Sequence, residues 1–277
     1  MTVPKFALAA ALLLLARWPA AAGPADGLRV LRRFEPVPRS GITHACVVEA
    51  DPAYFRFSVV SALKAAGKQK AALPELRRLL PGPALIINAG FFSLKDGAPI
   101  GEFVEDGARP GRIIYAPGRD LDRIFVARYD DSVDVLDGRE KLTDTELLWT
   151  RSAVTGKSAW PGHASLTNRT ALCFTRVGKV LLAAVYPLNT LAELFNYMKS
   201  EGCEPASIVA LDGGGSTQMS YSSGGEAWNL GWERAGADVP ECHLRRDNAD
   251  PRCYRPVSSF IVLEPRTRPF YENIIIP

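Results

Sequence analysis

The stretch VALDGGGSTQM, residues 209–219, runs from apolar residues into Asp212, three consecutive glycines, Ser216 and Thr217. Gly213, Gly214 and Gly215 can take backbone dihedrals closed to other residues, and bare backbone lets a ligand approach main-chain N–H groups that form an anion-binding nest. Asp212, at the carboxyl end of a buried strand, then presents a fixed carboxylate to the same space, a position where open sheets commonly place functional groups. Ser216 and Thr217 add two hydroxyls. The bland reading is a glycine turn in which Asp212 bonds its own backbone, but three glycines in a row are entropically costly for a corner alone. A second apolar run ends in the same way: LIINAGFF sets Asn88 at its end, followed by Ala89, Gly90, Phe91 and Phe92. If both strands belong to one sheet and run the same way, Asn88 and Asp212 share a rim. Phe91 and Phe92 are then either an apolar wall for a ring-shaped ligand or core packing.

Several familiar chemistries lack their motifs. GGGST does not carry the flanks of a G-x-S-x-G nucleophile elbow, and the chain holds no G-x-x-x-x-G-K-[ST] phosphate loop. His44, His163 and His243 form neither an H-x-x-x-H pair nor a cysteine–histidine zinc pattern, and are read as structural or solvent-exposed. No cofactor is expected. A divalent cation stays open, because Asp212, Asn88 and Glu102 are oxygen ligands of the hard-cation type.

The elements that must position these residues follow from periodicity and turn residues. THACVVEA and YFRFSVV read as two strands around a DPA turn, with an antiparallel pair as the first expectation. A helix is expected from about Leu73, where Pro74 suits a first turn, and ALIIN (84–88) reads as a buried strand. From Pro99 to Asp137 the pieces IGEFVE, RIIYA, RIFVARY and SVDVL make a β-rich middle. RTALCFTR and KVLLAAVY form a hairpin about Val177 and Gly178, and the second, apolar nearly throughout, belongs at the centre of a sheet covered on both faces. Thr190 and Glu193 make a T-x-x-E capping box for a helix whose Leu191, Leu194, Phe195 and Met198 share one face, ended by Gly202. ASIVALD reads as a buried strand, 222–254 as a long loop and VSSFIVLE as a last strand. No repeat or linker interrupts the chain. The expected fold is α+β, a single domain with a mixed or antiparallel β-sheet core and a few packed helices.

The chain of 277 residues is 47% hydrophobic and 23% charged, within the globular range. Residues 1–22 combine Lys5, an apolar run from Phe6 to Ala16 and small residues at Ala20–Gly23, the pattern of a secretory signal peptide cleaved near Ala22; an uncleaved anchor is the weaker alternative. The apolar run is short for a bilayer span, so no stable membrane insertion is expected after cleavage. Cleavage removes two of the 33 bases and none of the 30 acids, so the formal charge falls from +3 to about +1 and no basic field points to nucleic acid. Residues 23–40 form a proline-punctuated lead-in, and 41–277 the domain proper. In an exported chain Cys242 and Cys253, which enclose a polar segment, are the expected disulfide, while Cys46, Cys173 and Cys203, in or beside apolar runs, read as buried thiols.

Five blocks in order, INAGFF (87–92), PIGEFVEDG (99–107), NRTAL (168–172), LDGGGSTQM (211–219) and RPVSSFIVL (255–263), resemble the phosphodiester glycosidase domain family over about residues 40–265. The sequence departs from the family pattern at Glu102, where relatives often carry an apolar residue, and in the stretch before NRTAL. The resemblance implies an exported hydrolase that cleaves a glycosidic bond between a sugar and a phosphodiester, with a carbohydrate or sugar-phosphate as its partner. It implies Asp212 as base or nucleophile, Arg169 and the amides of residues 213–215 on the phosphate, and Asn88 on a sugar hydroxyl or a water, with Glu102 and Arg255 as further candidates. Two other readings stand beside it. One is a non-catalytic exported glycan-binding or envelope-assembly protein of the same fold; the other is a nucleotide-phosphate loop like that of sugar kinases, for which no second phosphate loop is present.

Overall fold

The computed structural model describes residues 27–37, 44–115, 121–158, 165–231 and 253–267. The expected signal peptide, His163, His243 and Cys242 lie outside the described residues. Among the described residues fourteen strands form three sheets, and every ladder within them is antiparallel. The first sheet has the order β1 (Leu28–Pro36), β2 (His44–Ala50), β10 (Val180–Asn189), β9 (Thr167–Phe174), β11 (Val209–Ala210). The second has the order β13 (Glu226–Gly231), β12 (Gln218–Ser223), β4 (Leu85–Asn88), β14 (Ser259–Pro265), β3 (Phe55–Ser61). The third has the order β5 (Phe103–Val104), β8 (Thr150–Gly156), β6 (Arg123–Arg128), β7 (Val133–Asp137). The fold is a single α+β domain, mostly β, as expected.

Each sheet turns one face to a common core and is covered wholly or in part on the other. Along β10, Val180, Leu182, Ala184 and Tyr186 enter the common core, while Leu181, Ala183 and Val185 pack under α4 (Leu191–Ser200). A strand buried on both faces has no polar side to show, which is why KVLLAAVY lacks alternation. α4 forms as its sequence predicts: the Thr190 hydroxyl accepts from Glu193 N at 3.1 Å and the Glu193 carboxylate accepts from Thr190 N at 2.7 Å. Such a cap stabilises a helix by about 1 kcal/mol. α1 (Ala62–Ala66) and α2 (Leu73–Leu79) help cover the second sheet, and Leu147 of α3 (Asp144–Trp149) helps cover the third. No described helix is long and apolar enough to cross a membrane.

Several expectations are corrected. β2 and β3 are strands but not partners: β2 pairs with β1 and β10, β3 with β14, so the DPA turn carries the chain from one sheet to another. The lead-in contains strand β1, whose Leu28 and Val30 pack on the core. The segment read as loop from 222 opens with β13, whose Trp228 and Leu230 are buried. RIIYA contributes only a single bridge, Ile114 to Ile100. Cys173 and Cys203 are joined in a disulfide with Cα atoms 5.8 Å apart, tying β9 to the end of α4; Cys46 is the buried thiol. Cys253 is disulfide-bonded.

Candidate active site

The glycine turn lies where two sheets meet. β11 is the edge of the first sheet and ends two residues before Asp212, whereas β4, which ends at Asn88, is the central strand of the second. The two strands therefore belong to different sheets, and the structure nonetheless brings the two residues together. Asn88 Nδ2 donates to Asp212 O at 2.7 Å, and Asp212 N donates to Ala89 O at 3.0 Å. Asn88 Oδ1 accepts from Thr170 Oγ1 at 2.8 Å and from Gln218 N at 3.0 Å. Asn88 is 1% exposed and its amide is engaged with protein, so it clamps the backbone on both sides of the turn.

The three glycines answer three separate constraints. A Cβ on Gly213 would stand 2.5 Å from the Asn168 carbonyl oxygen, Gly214 has φ +63°, and a Cβ on Gly215 would stand 2.8 Å from the Arg255 guanidinium. Residues Gly214–Ser216 make one 3₁₀ turn, closed by Ser216 N to Gly213 O at 3.1 Å and Thr217 N to Gly214 O at 3.2 Å. The amides of Gly214 and Gly215 donate to no protein acceptor among the described residues. Ser216 and Thr217 are buried beneath the turn, and the Thr217 carbonyl accepts from Tyr186 Oη at 2.9 Å.

Asp212 lines a cavity of about 650 Å³ together with Phe91, Lys95, Lys157 and Arg255. Its carboxylate is the single acid among the described lining residues, against three cations. Burial raises the Asp212 pKa to about 6. The neighbouring Ser216 hydroxyl, the Gly213 N–H at 3.0 Å and the Arg255 charge oppose that rise. Ser216 Oγ lies near enough to favour the ionised carboxylate without well-formed hydrogen-bond geometry. Lys157 follows β8, and its backbone exchanges hydrogen bonds with Ala210 at 2.8 and 2.9 Å, which fixes it beside the turn. Its Nζ stands 5.5 Å from the Phe91 ring centroid. Phe91 is a wall of the cavity; Phe92 reaches the cavity too but is 7% exposed and packs mainly in the core, and Gly90 sets its backbone against Val154.

Arg169 and Glu102 are held away from this cavity. Alternation along β9 sends Asn168, Thr170 and Leu172 toward the interior between sheets, and Arg169 toward the opposite face with Ala171 and Cys173 under α4. There Arg169 Nη2 donates to Ser165 O at 2.6 Å and Nε to Asn189 O at 3.2 Å. Glu102 is buried in a different polar cluster: Arg109 forks onto its two oxygens at 2.8 and 2.9 Å, and Leu142 N donates at 2.7 Å. Asp212, Asn88 and Glu102 are thus not gathered as one ligand set, and His44 stacks on Phe34 with centroids 4.7 Å apart. Of the two candidate arginines, Arg255 lines the cavity with Asp212. Lys95 and Lys157 were absent from the sequence-based candidates, since no motif marks them and their place depends on pairing across sheets.

The sequence profile of phosphodiester glycosidases matches residues 82–264. The chain belongs to the phosphodiester glycosidase family. The match takes in Asn88, the cavity lining and the glycine turn of this phosphodiester glycosidase domain. Among solved structures, the fold is similar to the catalytic domain of zebrafish N-acetylglucosamine-1-phosphodiester alpha-N-acetylglucosaminidase, auto-inhibited by its pro-peptide, with 15% identity, TM-score 0.53, and 87% of this chain and 89% of that chain covered. It is also similar to a hypothetical protein from Synechocystis, with 14% identity, TM-score 0.54, and 87% of this chain and 62% of that one covered. At these identities the likeness is one of fold. A search of curated protein sequences gives no match.

Proposed function

We propose that this protein is an exported hydrolase that cleaves the bond between a sugar's anomeric carbon and the oxygen of a phosphodiester. One observation carries the reading: Asp212, the single acid among the described residues of its cavity and raised by burial, lies beside Arg255 on a glycine turn that leaves two amides without acceptors among the described residues. Glycosidases that expel an alkoxide need two carboxyl groups, one of them a proton donor. A phosphate monoester leaving group, with a second pKa near 6, needs little protonation, so one carboxylate suffices. In this reading Asp212 activates water or bears the developing positive charge of the sugar, and Arg255 with the Gly214 and Gly215 amides neutralises the departing phosphate. Lys157 and Lys95 add cationic charge to the same wall, and Phe91 receives the apolar face of the sugar. Asn88 and Glu102 position backbone and do not touch substrate.

Export is part of the proposal. The Cys173–Cys203 disulfide supports it, since such bonds persist in oxidising compartments, and so does the basic, apolar, small-residue order of residues 1–22. The test is a panel of sugar-1-phosphodiesters assayed for release of free sugar, with Asp212→Asn as control. Turnover of at least one member by the natural protein is expected, about a thousandfold slower in the variant; equal turnover by both would remove Asp212 from the mechanism.

A further inference from the structure

A second cavity of about 520 Å³ lies on the outer face of the third sheet, where α3 covers that sheet only in part. Its floor includes Val126 and Leu136, and its rim carries Trp149 and Tyr129, which are 67% and 55% exposed. The backbones that carry them are paired, Tyr129 N donating to Trp149 O at 3.2 Å just past the register shift between β6 and β8. Large rings this open to water, on ordered backbone beside a concave apolar floor, are the marks of a ligand surface.

The polar groups around it narrow the ligand's chemistry. Arg128 is paired with Asp134 at 2.9 Å, the Asp130 carboxylate accepts from Ser132 Oγ at 2.6 Å, and Glu146 accepts from Thr143 N at 2.8 Å. Asp134 offsets the Arg128 charge and Arg139 offsets that of Glu146, whereas Asp130 bonds the uncharged Ser132, so the cavity keeps a negative charge and repels a phosphate or a polyanion. What it suits is a neutral ring with one apolar face and a polar edge. The apolar face stacks on an aromatic, and hydroxyls on the edge meet the free lone pairs of Asp130 and Glu146.

We propose that this cavity binds a pyranose unit of a neutral glycan, away from the cavity at Asp212, so that the protein holds a polysaccharide at one point and acts on its phosphodiester at another. The sharing of work between the two cavities rests on the glycosidase reading above; the binding itself does not. The two share no lining residue, and Thr150 and Lys157 mark opposite ends of β8, about 23 Å apart along the strand. A single sugar cannot fill both, whereas an oligosaccharide chain can.

The probes are the hexasaccharides of glucose in α-1,4 and β-1,4 linkage and of N-acetylglucosamine, titrated calorimetrically against the full chain, Trp149→Ala, Tyr129→Ala and Asp212→Asn. Binding of at least one probe is expected, weakened about tenfold in Trp149→Ala and unchanged in Asp212→Asn. Both rings are largely exposed, so the variants should melt with the natural protein. Hydrolysis of a short sugar-1-phosphodiester by Trp149→Ala should equal that of the natural protein. No binding of any probe, or binding that Trp149→Ala leaves intact, would overturn the proposal. So would a Trp149-dependent dimer in sedimentation, or Trp149-dependent binding to phosphatidylcholine–phosphatidylglycerol vesicles, because either assigns the cavity another occupant. Binding without any turnover would leave this site standing while sinking the glycosidase reading, and turnover without binding would do the reverse.

Discussion

Asp212 combines a raised pKa with a neighbouring arginine, and the two effects separate in experiment. A base or nucleophile must be ionised, so kcat/KM should rise with pH through a midpoint near 6, where burial has set the Asp212 pKa. A phosphodiester carries no proton in that range, which leaves the limb to the enzyme. Asp212→Asn should lower kcat/KM about a thousandfold, within the span attributed to a positioned general base. Stability should move the other way. Between the ordinary carboxylate pKa and about 6 the folded protein holds a proton that the unfolded chain releases, so stability falls as pH rises through that window. Above it, Asp212→Asn should be more stable than the natural protein by on the order of 1–3 kcal/mol, and at pH 3.5 that gain should vanish; melting curves at the two pH values check the sign. Arginine substitutions give a second contrast. Arg255→Ala should lower kcat/KM by 10- to 100-fold through loss of a charge-assisted phosphate contact, roughly 1.5–3 kcal/mol. Arg169→Ala should lower the melting temperature with little change in kcat/KM, because its guanidinium holds Ser165 and Asn189 on the other face of β9.

At the scale of the element, the glycine turn works because Asn88 fixes it. Removing that side chain in Asn88→Ala leaves Gln218 N, Thr170 Oγ1 and the Asp212 carbonyl without partners in the interior. The expected cost is about 3 kcal/mol of stability, read by urea denaturation, together with a fall in kcat as Asp212 loses its register. The apolar runs into Asn88 and Asp212 were legible in the sequence, because a buried strand followed by bare backbone has few other uses. So were the hairpin of β9 and β10 and the capped α4, whose signals are local. The roles were harder to read. The alternation of Asn168, Arg169 and Thr170 is visible in the sequence, but nothing local says which face of β9 meets the second sheet, and of the two candidate arginines it is Arg255 that lines the cavity with Asp212. α3 carries its own T-x-x-E box at Thr143 and Glu146, a signal that was there to be used.

Across the whole molecule, the site depends on three sheets meeting at one point: Ala210 of the first exchanges backbone bonds with Lys157 just beyond the third, and Ala89 just beyond β4 of the second accepts from Asp212 N. Such convergence is set by long-range pairing, and sequence periodicity does not encode it; that is why Lys157 and Lys95 carried no signal and why β2 and β3 were paired with each other. The Cys173–Cys203 bridge closes the loop that contains β10 and α4, with a sequence separation of 30. Cys173→Ser with Cys203→Ser should cost roughly 3.5 kcal/mol by the chain-entropy account, seen as a lower denaturation midpoint that dithiothreitol reproduces in the natural protein. The most direct test of the central claim is hydrolysis of a sugar-1-phosphodiester in water enriched in ¹⁸O. Attack at the anomeric carbon, which Asp212 is placed to assist, puts the label on the released sugar and none on the phosphate monoester. Label on the phosphate would show that the phosphorus–oxygen bond is the one broken, and would contradict the account.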